Sequence, residues 1–368
     1  MSNSGPRDPA SWLRLCRLPR TTNRTRLQVL RRFGGDAGAV FAAPRQQLHT
    51  AFGARPGLLG AIGVAARLDV TADLEWLNAA DRHLLTIDDY RYPALLREIP
   101  DPPMVLFVRG CWRVLHRPAI AIVGSRNASP SGVLIAEHFA ERFCAHRLVV
   151  VSGLATGIDA AAHRGAIDAQ GDTVAVAASG LDQVYPRQHR ALACAIAQQG
   201  AVVSEFPLGT APLRRHFPQR NRIVSGLGLG TLVVEAAARS GSLITARLAG
   251  EQGREVYAVP GPIQSPLSRG CHRLLRDGAK LVESVQDVLE DLPGAVPAAR
   301  TIAMSETDPT LTASQTQLLA AVDYTPVTVD TLVVRSGLTT AKVCSMLLEM
   351  ELQGVVVGAA DGTYTRLK

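Results

Sequence analysis

No apolar run in the 368-residue chain reaches 18 residues, so no membrane span is expected. The first residues hold no apolar h-region, so no secretory signal is expected either, and the cytoplasm is the expected compartment. Lysine is scarce: Lys280, Lys342 and Lys368 stand against 36 arginines, a bias that genome composition produces and that says little about function. No CxxC occurs among Cys16, Cys111, Cys144, Cys194, Cys271 and Cys344, and the closest two are 33 residues apart. That excludes zinc-ribbon and thioredoxin-type sites and leaves six reduced thiols, most of them small buried hydrophobes. His189, His216 and His272 lack ligand spacing, so neither a metal nor a cofactor is expected. The glycine-rich turns contain no nucleophile–base–orienter set and no paired carboxylates. Glu235, after an apolar run, is the single carboxylate in a suggestive place, so the residues give a catalytic reading little support.

The net charge of +7 is not evenly spread. Residues 1–32 carry eight arginines and one acid, Asp8, and the rest of the chain is neutral. A basic binding surface beyond residue 32 must therefore come from local clusters. The Arg-rich start itself reads as a solvated flexible tail, with nucleic-acid contact as the other reading.

What is present is an alternation. Ala119–Val123, Leu148–Ser152, Thr173–Ala178, Ala201–Val203, Thr231–Val234 and Val256–Val259 are short apolar runs. Helical patterns lie between them, notably 130–146, 159–169 and 187–199. Ser129 and Pro130 open the first of these as N-cap and first helical residue. Short buried strands alternating with helices predict an α/β, Rossmann-like, doubly wound and mainly parallel sheet. Before it, residues 1–70 read as a helical module of SAM or helix-hairpin-helix type. Asn23 is the expected cap of a helix through Phe33, Asp36 caps the next, and Pro44 opens a third. Residues 71–118 read as an irregular, Pro-rich apron with one strand at Met104 to Val108. The core spans 119–291. Residues 292–309 lose periodicity and read as a linker. In 310–368, helical patterns at 314–322, 329–336 and 340–352 precede a hairpin around Asp361-Gly362, which predicts a winged helix.

Three stretches carry chemistry. Gly124-Ser125-Arg126 follows the first core strand and precedes a helix, so backbone N–H groups, a hydroxyl and a guanidinium can meet one phosphate there. It is equally an ordinary strand-to-helix turn with a surface Arg. Ser152 and Gly153 open the same kind of turn after the second strand. There Asp159 and His163 stand one helical turn apart and read as an i,i+4 hydrogen bond rather than a metal or acid–base pair. The third is RRHFPQRNR, 214–222, read as a basic loop. Arg214, Arg215, Arg220 and Arg222 surround Phe217 and Asn221, and an exposed Phe among arginines can stack on an unpaired base; the other reading is a buried Phe that anchors a charged loop. Together with Arg126, these four arginines are expected to converge on one groove at the strand carboxyl ends. A small-residue turn, Arg239-Ser240-Gly241-Ser242, follows the next strand on the same rim. GLGLG, 226–230, is not a dinucleotide fingerprint, because its glycines precede a strand instead of following one.

The segments DDYRYPALLREIPDPPMVLFVRG, AIVGSR, SGLATGIDAAAH, GLDQVYPRQH, SEFPLGTAP, FPQRNRIVSGL, VVEAAARSGSLITA, AVPG and GCHRLLRDGAKLV resemble the DNA-processing protein A family in order over about residues 86–283. The resemblance implies a Rossmann-like core that binds single-stranded DNA. It also implies a non-enzymatic role: protecting incoming DNA in natural transformation and loading a RecA-type recombinase onto it. The family's DNA-contacting positions match at Gly124, Ser125, Arg126, Phe217, Arg220, Asn221 and Arg222. Many members carry a Lys in the loop before the Phe-Pro pair, where this chain has Arg214 and Arg215. The resemblance also implies a homodimer through the core, placed at 270–282 with Leu274, Leu275 and Leu281, although core packing alone accounts for those leucines. The alternative is a nucleotide-handling enzyme of the lysine-decarboxylase-like fold, whose PGGxGTxxE pattern SGLGLGTLVVE meets only in part. The winged-helix region, 301–368, holds four basic residues against seven acidic ones, a net of −3. It lacks the basic stripe of a nucleic-acid reader and reads as a protein-contact module.

Overall fold

The structure, a computed structural model, describes residues 8–53, 56–292, 311–359 and 361–366. The expected linker, 292–309, lies outside the described residues except for Leu292.

Six helices open the chain: α1 (Pro9–Cys16), α2 (Asn23–Arg32), α3 (Ala37–Ala42), α4 (Arg45–Phe52), α5 (Pro56–Ala65) and α6 (Thr71–Leu77). Of the Arg-rich start, Pro9–Cys16 and Asn23–Arg32 are therefore helix, not free tail. Burial explains the difference, since α1 and α2 sink Leu13, Leu15, Leu27, Val29 and Leu30 into the core. The cap of α2 is Thr22, whose side chain accepts from the Thr25 amide; Asn23 is the first helical residue. Asp36 caps α3 as expected, and Pro44 stands at the N-cap of α4.

The region 71–118 is more regular than its sequence reads. It contains β1 (Arg82–Thr86), α7 (Ala94–Glu98) and β2 (Val105–Gly110). β1 pairs antiparallel with β2, placing Leu85 opposite Leu106, and β2 pairs antiparallel with a strand of the core. The five-residue β1 has too little pattern of its own; its partner across the sheet makes it a strand.

The core then alternates: β3 (Ala119–Val123), α8 (Pro130–Ala145), β4 (Val149–Ser152), α9 (Ile158–Asp168), β5 (Thr173–Val176), α10 (Arg190–Gln199), β6 (Ala201–Ser204), α11 (His216–Leu227), β7 (Gly230–Val233), α12 (Ser242–Glu251), β8 (Glu255–Ala258), α13 (Arg269–Arg276), β9 (Lys280–Leu281) and α14 (Val285–Leu289). The nine strands lie in the order β1-β2-β6-β5-β4-β3-β7-β8-β9. Those from β6 to β9 in that order are parallel. Strand pleat divides the core between the two faces: Ala119, Ala121 and Val123 pack on one side of β3, Ile120 and Ile122 on the other. Each such isoleucine contributes about 1.5–3 kcal/mol. Leu27, Leu30 and other residues of the N-terminal helices share a cluster with Phe107, Leu154 and Val202, so module and sheet have one continuous core. The chain runs from β3 out to β6 on one side and returns through α11 to lay β7 on the other. The strand order thus reverses between β3 and β7, which makes a crevice at their carboxyl ends.

At the far end are α15 (Ala313–Ala321), β10 (Val327–Thr328), α16 (Val329–Ser336), α17 (Thr340–Leu352), β11 (Val356–Gly358) and β12 (Thr363–Arg366). The strands form a small sheet in the order β10-β12-β11. Gly337 ends α16 at φ +66°, in the left-handed region that favours glycine. The helices enclose their own cluster around Leu318, Leu332, Leu347 and Met350. Among the described residues no helix is long and apolar enough to cross a membrane.

Candidate nucleic-acid interface

Loops from the carboxyl ends of β3, β4 and β7 meet at the switch point. Gly124, Ser125 and Arg126 form the first. Ser125 is buried, and its hydroxyl accepts from the Asn127 amide while its carbonyl accepts from the Ile158 amide. Gly157 has φ +73°, and a Cβ there would run into the carbonyl oxygens of Ser125 and Arg126. Only glycine lets the β4 loop close against the β3 loop, and the closure turns Arg126 outward, where it is exposed.

Glu235 is not a free carboxylate. One oxygen accepts from the Ser129 amide at 2.9 Å and the other from the Ser129 hydroxyl at 2.6 Å. Ser129 in turn accepts from the Gly132 amide. The carboxylate therefore serves the first turn of α8, where a negative charge is favourable.

The stretch expected as a basic loop is helix from His216 onward. Pro218 falls at the third helical position, where its missing N–H is one of those without an intrahelical partner. His216 is buried and stacked on Phe206 with ring centroids 4.4 Å apart, which anchors the first turn. The helix sorts the arginines. Arg214 and Arg215 precede it and are exposed, with no ion pair among the described residues. Arg220 is 3 % exposed; its Nη1 donates to the Val176 carbonyl at 2.7 Å. Burial lowers its pKa to about 10, against the favourable charge of Asp159. Arg222 is also buried. It donates to Glu205 at 2.5 Å and to Asp101 at 3.2 Å, tying α11 to the loop after β6 and to the segment before β2. The arginines expected to converge on one groove thus divide into three outward ones (Arg126, Arg214 and Arg215) and two inward ones.

Ser152 is fully buried, its hydroxyl donating to the Ile122 carbonyl. Gly153 is the place where Arg220 passes, and a Cβ there would collide with its guanidinium and with Asp159. Asp159 and His163 do not bond to each other. Asp159 accepts from the Ala155 amide, and its pKa is raised by burial although Arg220 opposes this. His163 meets the Thr173 hydroxyl at 2.7 Å, and burial lowers its pKa to about 3, so it stays neutral. The i,i+4 bond loses because each side chain finds a partner on a neighbouring element. Asn221 is half-buried, with its amide directed at the Gly241 carbonyl at 3.5 Å. Gly241 is exposed; Ser240 and Ser242 bond to each other at 2.7 Å.

Phe217 is half-buried. The Arg126 guanidinium lies over it, 5.0 Å from the centroid. Tyr185, half exposed, meets it edge-on at 5.8 Å. Tyr185 lies 32 residues upstream in sequence and escapes any spacing rule. Its signals are an aromatic beside Arg187 in a loop after β5 and its place in the segment GLDQVYPRQH. The resulting surface has two aromatic rings and a free guanidinium at the switch point, with Arg214 and Arg215 at the head of α11.

Leu274, Leu275 and Leu281 are elsewhere. Leu274 and Leu275, on α13, are partly buried against the core, whereas Leu281, on the edge strand β9, is 47 % exposed.

Residues 83–293 match the family described as DNA recombination-mediator protein A. The chain belongs to that family. Residues 303–362 match its winged-helix domain. Protein Smf of Escherichia coli is 42 % identical over 82 % of each chain. DNA processing protein DprA of Streptococcus pneumoniae is 48 % identical over 56 % of this chain and 73 % of its own length. The X-ray structure of DprA from Streptococcus pneumoniae superposes with a TM-score of 0.67 at 39 % identity, covering 77 % of this chain and 96 % of that one. DNA processing protein A of Helicobacter pylori, whose structure is described as showing its single-stranded DNA binding mode, gives a TM-score of 0.52 at 28 % identity. It covers 57 % of this chain and 97 % of that one.

Proposed function

We propose that this recombination mediator binds and protects single-stranded DNA at the β3–β7 crevice and loads a RecA-type recombinase onto it, in natural transformation and homologous recombination. The observation that carries the reading is the contact of Arg126 with the Phe217 ring, with Tyr185 at its edge. Aromatic faces stack on unpaired bases, and guanidinium groups beside them meet the backbone. Arg126, Arg214 and Arg215 take phosphate, Phe217 and Tyr185 take a base, and Asn221 with Gly124 and Gly241 shapes the path. Arg220 and Arg222 hold α11 in place from beneath. The single-strand binding described for the Helicobacter pylori relative supports this reading.

The role is non-enzymatic and the compartment the cytoplasm. The nucleotide-handling alternative would need Glu235 free, and it is bound to the start of α8. The protein acts as a homodimer through α13 and β9. The winged helix is a protein-contact module, supported by its net charge of −3 over residues 301–368 and by exposed Val334, Leu348 and Leu352.

The test is a competition between oligo-dT and duplex of equal length. Stacking is worth about 1–3 kcal/mol per base, so Phe217→Ala should weaken single-strand binding by about that amount and duplex binding by less. Equal losses on the two would remove base stacking from the account.

A further inference from the structure

We propose that helix α2 of the N-terminal module continues the single-strand path beyond the core, which rests on the reading of the core crevice as the single-strand site. The chain from Pro9 to Gly35 contains no acid and seven arginines. Three of them are occupied inside the fold. Arg14 donates to the Leu68 carbonyl, Arg17 to both Asp73 oxygens at 2.7 and 2.8 Å, and Arg26 to Thr21 and Leu18. The other four, Arg20, Arg24, Arg31 and Arg32, are exposed and make no ion pair among the described residues.

Three of these four lie together on α2. Arg24, Gln28, Arg31 and Arg32 are exposed at i, i+4, i+7 and i+8, one face of about 100° at helical period. Leu27, Val29 and Leu30 are buried on the rest of the circumference. Like charges held together without counterions repel one another, and an anionic polymer relieves that repulsion. The acids nearby do little of this. Asp88, by Arg31, is drawn by both Arg97 and Arg31. Asp101 is paired with Arg222, and Asp36 caps α3.

Position makes the stripe an extension rather than a separate patch. Asn23, the first residue of α2, donates to Asp101 at 2.8 Å and to the Pro102 carbonyl at 2.7 Å. The other oxygen of Asp101 accepts from Arg222 of α11. Arg17 reaches the Leu208 carbonyl at 3.4 Å, in the loop that leads to Arg214 and Arg215. α2 is thus one carboxylate away from the helix that carries Phe217. From Arg24 to Arg31 is about 10 Å along the axis, far enough apart for the two to meet different phosphates of one strand.

The full-length protein is titrated with labelled oligo-dT of about 6 nucleotides, near the lower end of single-strand groove sizes, and of about 30. In the Arg24→Gln/Arg32→Gln double variant, long-strand affinity should fall about tenfold while short-strand affinity changes less than twofold. The salt slope on the long strand should drop by about 1.4, or ~0.7 per lost phosphate contact. The Arg24→Lys/Arg32→Lys double variant should keep most of the slope and shows that the charge, not the helix, is read. An unchanged long-strand slope, or equal losses on both strands, overturns the proposal. Failure of the core reading looks different: Arg126→Ala would then leave short-strand binding untouched. A wild type that binds neither strand overturns both.

Discussion

At the residue scale, the chemistry of the site turns on which arginines face out, and one letter code covers both kinds. Arg220 and Arg222 stand in the same helix as Phe217, and sequence gives no reason to separate them from Arg126. What separates them are partners far away in the chain: Asp159 and the Val176 carbonyl for Arg220, Glu205 and Asp101 for Arg222. Glu205 shows the stakes, since burial raises its pKa while Arg222 pulls it back. Breaking a buried pair by removing one partner costs about 3–5 kcal/mol, because the other charge stays buried. Arg222→Ala should therefore lower the unfolding free energy by about that amount in denaturant titration. A stable Arg222→Ala protein that has lost DNA binding would place Arg222 in the DNA contact instead. Arg126 offers the contrast of a guanidinium with no ion pair among the described residues and an aromatic face beneath it.

At the scale of elements, the parallel strands of the core were legible because each is a short apolar run buried on both faces, and β3 was read without error. α16 and α17 were also read to the residue, helped by the left-handed glycine between them. The differences have separate causes. β1 and β9 are short and become strands only through their neighbours in the sheet. The start of α11 reads as a basic loop from its cluster of arginines, yet it is helix, and Pro218 falls in the first turn, which accommodates proline. Tyr185 joins the site through the tertiary approach of its loop to α11, which no spacing encodes. The proposed homodimer also belongs at this scale. β9 ends the sheet, and an open edge bearing an exposed leucine invites association. Beside it, a cleft of about 700 Å³ between α12 and α13 is lined by Leu243, Ile244, Leu274 and Ala279. Light scattering at micromolar concentration should give twice the 39.2 kDa chain mass. A monomer at that mass removes the proposal.

At the scale of the whole molecule, charge is placed rather than spread. The positive excess gathers in the first 32 residues and on the rim around Arg126, while the winged helix is acidic. An acidic domain repels phosphate, so a chain ending at Leu292 should retain its affinity for single strands within about threefold. A loss of tenfold or more, about 1.4 kcal/mol, in a folded truncated protein would make the winged helix a DNA-binding domain.

The most direct measurement on the crevice itself is the affinity of Arg126→Ala for oligo-dT, taken across a salt series and alongside thermal unfolding. Arg126 is exposed and has no ion pair among the described residues, so its removal should cost little more than its contact with the Phe217 ring, about 0.5–1 kcal/mol of stability. Binding should weaken by about 1–3 kcal/mol, the range for a hydrogen bond to a charged group and its unmet partner. The salt slope should become shallower by ~0.7, one phosphate contact on a single strand. An Arg126→Ala protein with intact stability, the same affinity and the same salt slope would contradict the assignment of the β3–β7 crevice as the DNA site.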